Sequence, residues 1–177
     1  LYGNLEYSAI NEMPKGRQDI DTIAISEDRR SEVLEKISSK CKDGSQVYWV
    51  CPLINESEVL ECKAATNTYK ELQSKLKNIN IGLIHGRMKM AEKEEVMSNF
   101  RNKKIDVLVS TTIIEVGLDV PNATVIIIEN SERMGLSQLH QLRGRVGRGN
   151  KKSSCILIFK SGLSELARKR IDILRKC

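Results

Sequence analysis

Short runs of aliphatic and β-branched residues alternate along the chain with stretches in which apolar residues return every three or four positions. Runs such as Val107-Leu-Val109 and Val125-Ile-Ile-Ile128 show no polar alternation, the pattern of strands covered on both faces of a parallel sheet. The predicted strands are Thr22–Ile25, Gln46–Cys51, Ile81–His85, Ile105–Ser110, Thr124–Glu129 and Ser154–Phe159. Helices are predicted between them, at about Glu27–Cys41, Ala64–Lys77, Ala91–Arg101, Ser137–Arg145 and Ser164–Lys176. Val33, Leu34 and Ile37 supply the apolar stripe of the first; Ala65, Tyr69, Leu72 and Leu76 supply that of the second. Such alternation predicts an open α/β sheet with right-handed crossovers. In these folds functional residues gather in loops beyond the carboxyl ends of the strands. His85-Gly-Arg87, Ser110–Pro121 and Glu129–Ser137 fall there. The polar segments Asn55–Lys63 and Asn150–Ser153 read as surface loops. Residues 1–19, with Gly3, Pro14 and Gly16, read as an extended lead-in joined to something upstream.

Composition narrows the picture without deciding it. At 177 residues the chain is one ordinary domain with room for a sizeable core. Hydrophobic and charged contents of 40% and 29% describe a soluble globular protein, and no apolar run reaches membrane-spanning length. A net charge of +6 suits a polyanionic partner, while aromatics at 4% argue against extensive base stacking. Nucleic-acid contact would then be mainly to the backbone. Cys41, Cys51, Cys62, Cys155 and Cys177 form no C-x-x-C pair and have no histidine at zinc spacing. They read as reduced thiols of a cytosolic protein, with Cys51 and Cys155 acting as small hydrophobes in buried strands.

The segment carrying most chemistry is Gln138-Leu-His-Gln-Leu-Arg-Gly-Arg-Val-Gly-Arg-Gly149. Read as a helix, it sets Gln141 and Arg145 one turn apart, with Arg148 a further turn on. Leu139, Leu142 and Val146 face elsewhere and can pack into a core. Gly144 and Gly147 should loosen or end the helix. Two guanidiniums beside an amide suit a phosphate chain gaining negative charge as its terminal bond breaks, since each planar fork bonds two oxygens. A basic, solvated helix face is the alternative.

This segment resembles motif VI of superfamily 2 helicases, of the pattern Q-x-x-G-R-x-x-R, through Gln141, Gly144, Arg145 and Arg148. Ser110-Thr-Thr-Ile-Ile-Glu-Val-Gly-Leu-Asp-Val-Pro121 resembles motif V. Gln46-Val-Tyr-Trp-Val-Cys-Pro-Leu-Ile54, with Glu56-Ser-Glu58 after it, resembles motif IV. Within the superfamily the wording is most similar to the helicases of branched DNA. Tyr48-Trp-Val-Cys-Pro52, Leu83-Ile-His-Gly-Arg-Met88 and Val120-Pro-Asn-Ala123 carry that likeness. Transcription-repair coupling translocases share motifs V and VI and stand second. The resemblance runs from Pro14-Lys-Gly-Arg17 to Ala167-Arg168.

The resemblance implies a three-layer RecA-like domain with a mostly parallel open sheet of about six to seven strands flanked by helices. Residues 20–177 would be the second of two motor lobes, carrying motifs IV, V and VI, and residues 1–19 the lead-in from an upstream lobe. The sequence has no G-x-x-x-x-G-K-S/T loop and no Asp-Glu pair, so ATP and Mg2+ would be held mainly by that upstream lobe. Alone, the chain should not hydrolyse ATP. Arg148 is the first choice for an arginine finger and Arg145 the second, while Gln141 would couple nucleotide state to lobe closure. Asp119, after Gly117, resembles the motif V acid at the nucleotide edge, or is a turn residue before Pro121. Glu115 would bridge the two sites or pair with a nearby arginine.

DNA-backbone contact is expected from Thr111, Thr112, Gly86 and Arg87, although the threonines also suit packing or capping. His85 and His140 read as structural, with no metal role, and Trp49 as core rather than a stacking platform. The implied partners are branched or forked DNA and the upstream lobe, in a bacterial-type cytoplasm, with no membrane. Two other classes stay open. A non-catalytic module could bind nucleic acid through its basic surface. A generic doubly wound domain could bind a phosphorylated ligand, although no glycine fingerprint follows an early strand.

Overall fold

The structure, a computed structural model, describes residues 20–52, 57–111, 120–147, 151–160, 162 and 165–176. Six parallel strands form one sheet: β1 (Ile20–Ser26), β2 (Gln46–Cys51), β3 (Ile81–Ile84), β4 (Val107–Thr111), β5 (Ala123–Ile128) and β6 (Ser153–Phe159). Their order across the sheet is β1-β6-β5-β2-β4-β3. The helices are α1 (Arg30–Lys42), α2 (Glu58–Lys75), α3 (Met90–Arg101), α4 (Leu136–Arg143) and α5 (Glu165–Lys176).

The two faces of the sheet carry separate cores, and the two-residue period of each strand divides its side chains between them. Val47, Trp49, Cys51, Val107, Val109, Val125 and Ile127 pack under Val33, Leu34 and Ile37 of α1 and Ala65 and Leu72 of α2. Tyr48, Val50, Leu108, Ile126, Ile128 and Leu157 pack under α3, α4 and α5 through Met97, Phe100, Leu139, Leu142, Ile171 and Leu174. Chain direction explains the split. From β1 through β3 the path moves one way across the sheet, and from β3 to β6 it moves back. Crossovers of one hand therefore place their helices on opposite faces. Trp49 is fully buried, as its alternation in β2 predicts.

The RecA-like three-layer architecture is the one expected, with six strands, and every predicted strand and helix has a counterpart. Some boundaries differ for local reasons. The first helix opens as a single 3-10 turn, Glu27–Arg29, before α1. The stretch read as a loop at Asn55–Lys63 instead starts α2 at Glu58, where Ser57 Oγ accepts the amide of Leu60 at 3.3 Å. Glu58 and Glu61 in its first turn complement the helix dipole, so the acidity taken for a loop is a helix-start signal. Residues 55 and 56 of that segment lie outside the described residues. Ser153, read as the end of a basic turn, is buried and opens β6.

Candidate functional site

The carboxyl ends of the six parallel strands share one edge, so the loops after β2, β3, β4 and β5 leave the sheet together. At the end of β3, His85 accepts the amide of Arg87 on Nδ1 at 3.2 Å, and its carbonyl accepts the amide of Met88 at 3.2 Å. The result is a tight turn with Gly86 and Arg87 exposed. A methyl group on Gly86 would stand 2.9 Å from Glu58 Oε1, so the turn and the start of α2 meet at contact distance. Sequence reading treated the two separately, and the fold brings them together.

Thr111 closes β4 opposite Cys51 of β2 and is buried, with 4% of its surface exposed. Thr112, Glu115, Gly117 and Asp119 lie outside the described residues.

The motif VI helix, α4, stops at Arg143 rather than Arg145, with Gly144 as its cap: the Gly144 amide makes the last helical bond, to the His140 carbonyl at 3.0 Å. A turn follows, in which the Arg145 amide bonds the Leu142 carbonyl at 3.0 Å. Gly147 takes φ of 80°, the left-handed conformation that favours glycine. Leu139, Leu142 and Val146 are buried, Gln141 is exposed and Arg145 half-buried. The apolar face predicted for this segment is the one observed, whereas Arg145 lies past the helix end. Arg148 lies outside the described residues.

The segment leading into α4 is pinned on several sides. Ser131 Oγ donates to the Ile158 carbonyl of β6 at 3.0 Å, and Arg170 of α5 donates to the Glu132 carbonyl at 2.8 Å. Arg143 donates from Nη1 to the Leu174 carbonyl at 2.9 Å and to Thr22 Oγ1 at 3.4 Å, tying α4 to the last turn of α5 and to β1.

A second polar cluster sits where β2 and β5 end. Glu129 accepts from Trp49 Nε1 at 2.9 Å, Thr68 Oγ1 at 3.0 Å, Cys51 Sγ at 3.4 Å and Arg30 Nη1. Arg30 also holds Glu71 through Nε and Nη2, and its guanidinium carbon lies 5.1 Å from the Trp49 ring centroid. Burial opposes the Arg30 charge, but bonds and attraction from Glu71 and Glu129 outweigh it and raise its pKa. Burial raises Glu71, and Arg30 and Lys75 more than reverse this, leaving its carboxyl below the ordinary value. The Cys51 thiol is pushed well up, by burial first and by Glu129 second.

Sequence reading missed Arg30, Glu129 and Arg143, though each carries a signal. All three are charged residues at positions where the apolar period expects a buried side chain. Arg30 is in step with Val33, Leu34 and Ile37, and Arg143 with Leu139, Leu142 and Val146. Glu129 is in step with Val125 and Ile127. Among the described residues no group of His, Cys, Asp and Glu side chains is placed to hold a metal ion, and no helix is long and apolar enough to cross a membrane.

Comparison with known proteins agrees with this geometry. The model of the helicase conserved C-terminal domain matches residues 27–150. The chain is 53% identical over 176 residues to the ATP-dependent DNA helicase RecG of Pasteurella multocida, covering 99% of this chain and 25% of that protein. It is 51% identical over 175 residues to RecG of Escherichia coli K12, covering 98% of this chain and 25% of that one. A RecG structure bound to a three-way DNA junction superimposes with a TM-score of 0.77 at 43% identity, over 93% of this chain and 21% of that chain. The chain thus spans about a quarter of the length of the curated relatives it matches.

Proposed function

The chain belongs to the helicase conserved C-terminal domain family, and from that membership we propose that it is the second motor lobe of an ATP-dependent DNA helicase of RecG type. The observation that carries the reading is the built asymmetry of the motif VI segment. Its apolar face is locked into the core, while Gln141 stands exposed and Arg145 follows beyond the helix end. Any amphipathic surface helix buries its apolar stripe, but this segment is also tied at Ser131 to β6, at Glu132 to α5 and at Arg143 to α5 and β1. A group that must meet a transferring phosphoryl needs such fixing, because small misplacements are costly.

In this reading Gln141, Arg145 and Arg148 act on ATP, and Gly117, Asp119 and Glu115 help to bind it. The P-loop and the magnesium ligands come from an upstream lobe in the same polypeptide, since this sequence has neither P-loop nor Asp-Glu pair. The boundary between that lobe's lead-in, residues 1–19, and this lobe, residues 20–177, is part of the proposal. Branched or forked DNA is the substrate that the likeness to RecG favours. Exposed Arg87 suits a phosphate contact, with Gly86 beside it exposed but flanked by the Glu58 carboxylate, and Thr112 is the further candidate. Thr111, being buried at the end of β4, is set aside as a direct contact.

The test is DNA-stimulated ATP hydrolysis by the intact two-lobed protein beside its Arg148→Ala variant. Stimulation by branched DNA in the parent, with turnover falling roughly 10³-fold or more in the variant while ATP binding persists, is the expected result. Equal rates would remove Arg148 from the chemistry. Tight DNA binding with no turnover in either protein would favour the non-catalytic module instead.

A further inference from the structure

Glu129 is the residue at which β5 becomes the approach to α4. Its backbone is still in the sheet, with its amide bonded to the Val50 carbonyl of β2 at 3.0 Å. The next residue, Asn130, takes φ of 49°, a left-handed conformation that non-glycine residues adopt at a cost and asparagine tolerates better than most. That kink turns the chain into the single 3-10 turn Ser131–Arg133 and then into α4. A carboxylate with four donors therefore sits directly before the left-handed bend on the path to Gln141 and Arg145.

The donors come from three elements. Trp49 and Cys51 belong to β2, Thr68 to α2 and Arg30 to the start of α1. Arg30 is the link that makes the cluster one body, because it also grips Glu71 of α2 and stacks on Trp49. Three elements of one face of the sheet thus converge on a residue whose chain leads to a helix packed on the other face. We propose that Glu129, gripped by Arg30, is a positioning residue that sets where the motif VI helix begins and so where Gln141 and Arg145 stand. The proposal rests on the motor-lobe reading for its consequence in turnover, though not for its consequence in structure.

Glu71 supplies the control, since it bonds the same arginine but lies on α2, away from the bend. Glu129→Gln keeps the shape, loses the charge and turns an amide donor toward the cluster's own donors. In the intact protein, Glu129→Gln should lower kcat about 10-fold or more with KM for ATP within roughly two-fold. Glu71→Gln should leave kcat within roughly two-fold at a comparable loss in Tm. Amide hydrogen exchange on the 177-residue chain supplies a readout free of activity. Exchange over residues 131–143 should quicken in Glu129→Gln and not in Glu71→Gln. Equal losses of kcat in the two variants, or unchanged exchange over 131–143 in Glu129→Gln, would overturn the proposal. A parent without ATPase activity would sink the motor reading and leave the exchange result to decide this one.

Discussion

A buried thiol gives the residue scale a measurable signature. Cys155 lies fully buried in the middle of β6, and burial pushes its thiol from 9.0 up to about 12, with Arg143 pulling the other way. Folded, the thiol keeps its proton after the unfolded chain's thiol has ionised. Its contribution to stability is therefore complete below about pH 9 and lost as pH climbs toward about 12. Denaturant unfolding between pH 9 and 11 should show a steeper decline in the parent than in Cys155→Ala, by about 1 kcal/mol per pH unit. Every other ionisable side chain is common to the two proteins, so the difference in slope isolates the thiol. Parallel slopes would mean that Cys155 ionises in the fold as it does in water. Cys41, raised to about 12 by burial and by Asp106, should contribute in the same direction.

Elements show where a sequence speaks clearly. β2 was predicted at Gln46–Cys51 and is observed there, because an apolar run ended by Pro52 has one reading. The start of α2 was misread because its first turn is polar and acidic, and composition cannot separate a helix start from a loop. The buried charges were missed for a different reason. Periodicity scores hydrophobic residues, and a charge inside an apolar stripe lowers the score just where it matters most. Arg143 is such a case, and the structure shows its task. Its two bonds join α4 to the Leu174 carbonyl of α5 and to Thr22 of β1, so α5 is held by more than its stripe of Ala167, Ile171 and Leu174. Arg143→Ala should cost about 1–2 kcal/mol in urea unfolding with the denaturant slope unchanged. A cost no larger than that of an exposed-arginine control such as Arg101→Ala would show that the two bonds carry nothing.

At the scale of the whole molecule, the sheet has a direction. Six parallel strands send every strand end to one edge, and the turn bearing Gly86 and Arg87 follows β3 there. The opposite edge holds the strand starts, including the basic turn with Lys103 and Lys104 before β4. A net charge of +6 alone would attract DNA to any basic surface, so direction is what separates a built track from general stickiness. Each phosphate neutralised in a duplex releases counterions and adds about 0.9 to the slope of log affinity against log salt. If the carboxyl edge is the track, Arg87→Ala should weaken DNA binding by this chain and reduce that slope by about 1, whereas Lys104→Ala should change neither. Fluorescence anisotropy with a short duplex across a salt series reads both quantities. Equal effects from the two substitutions would show that DNA follows charge without regard to the sheet's direction, and the likeness to a junction-bound relative would then say nothing about where this chain grips its strand.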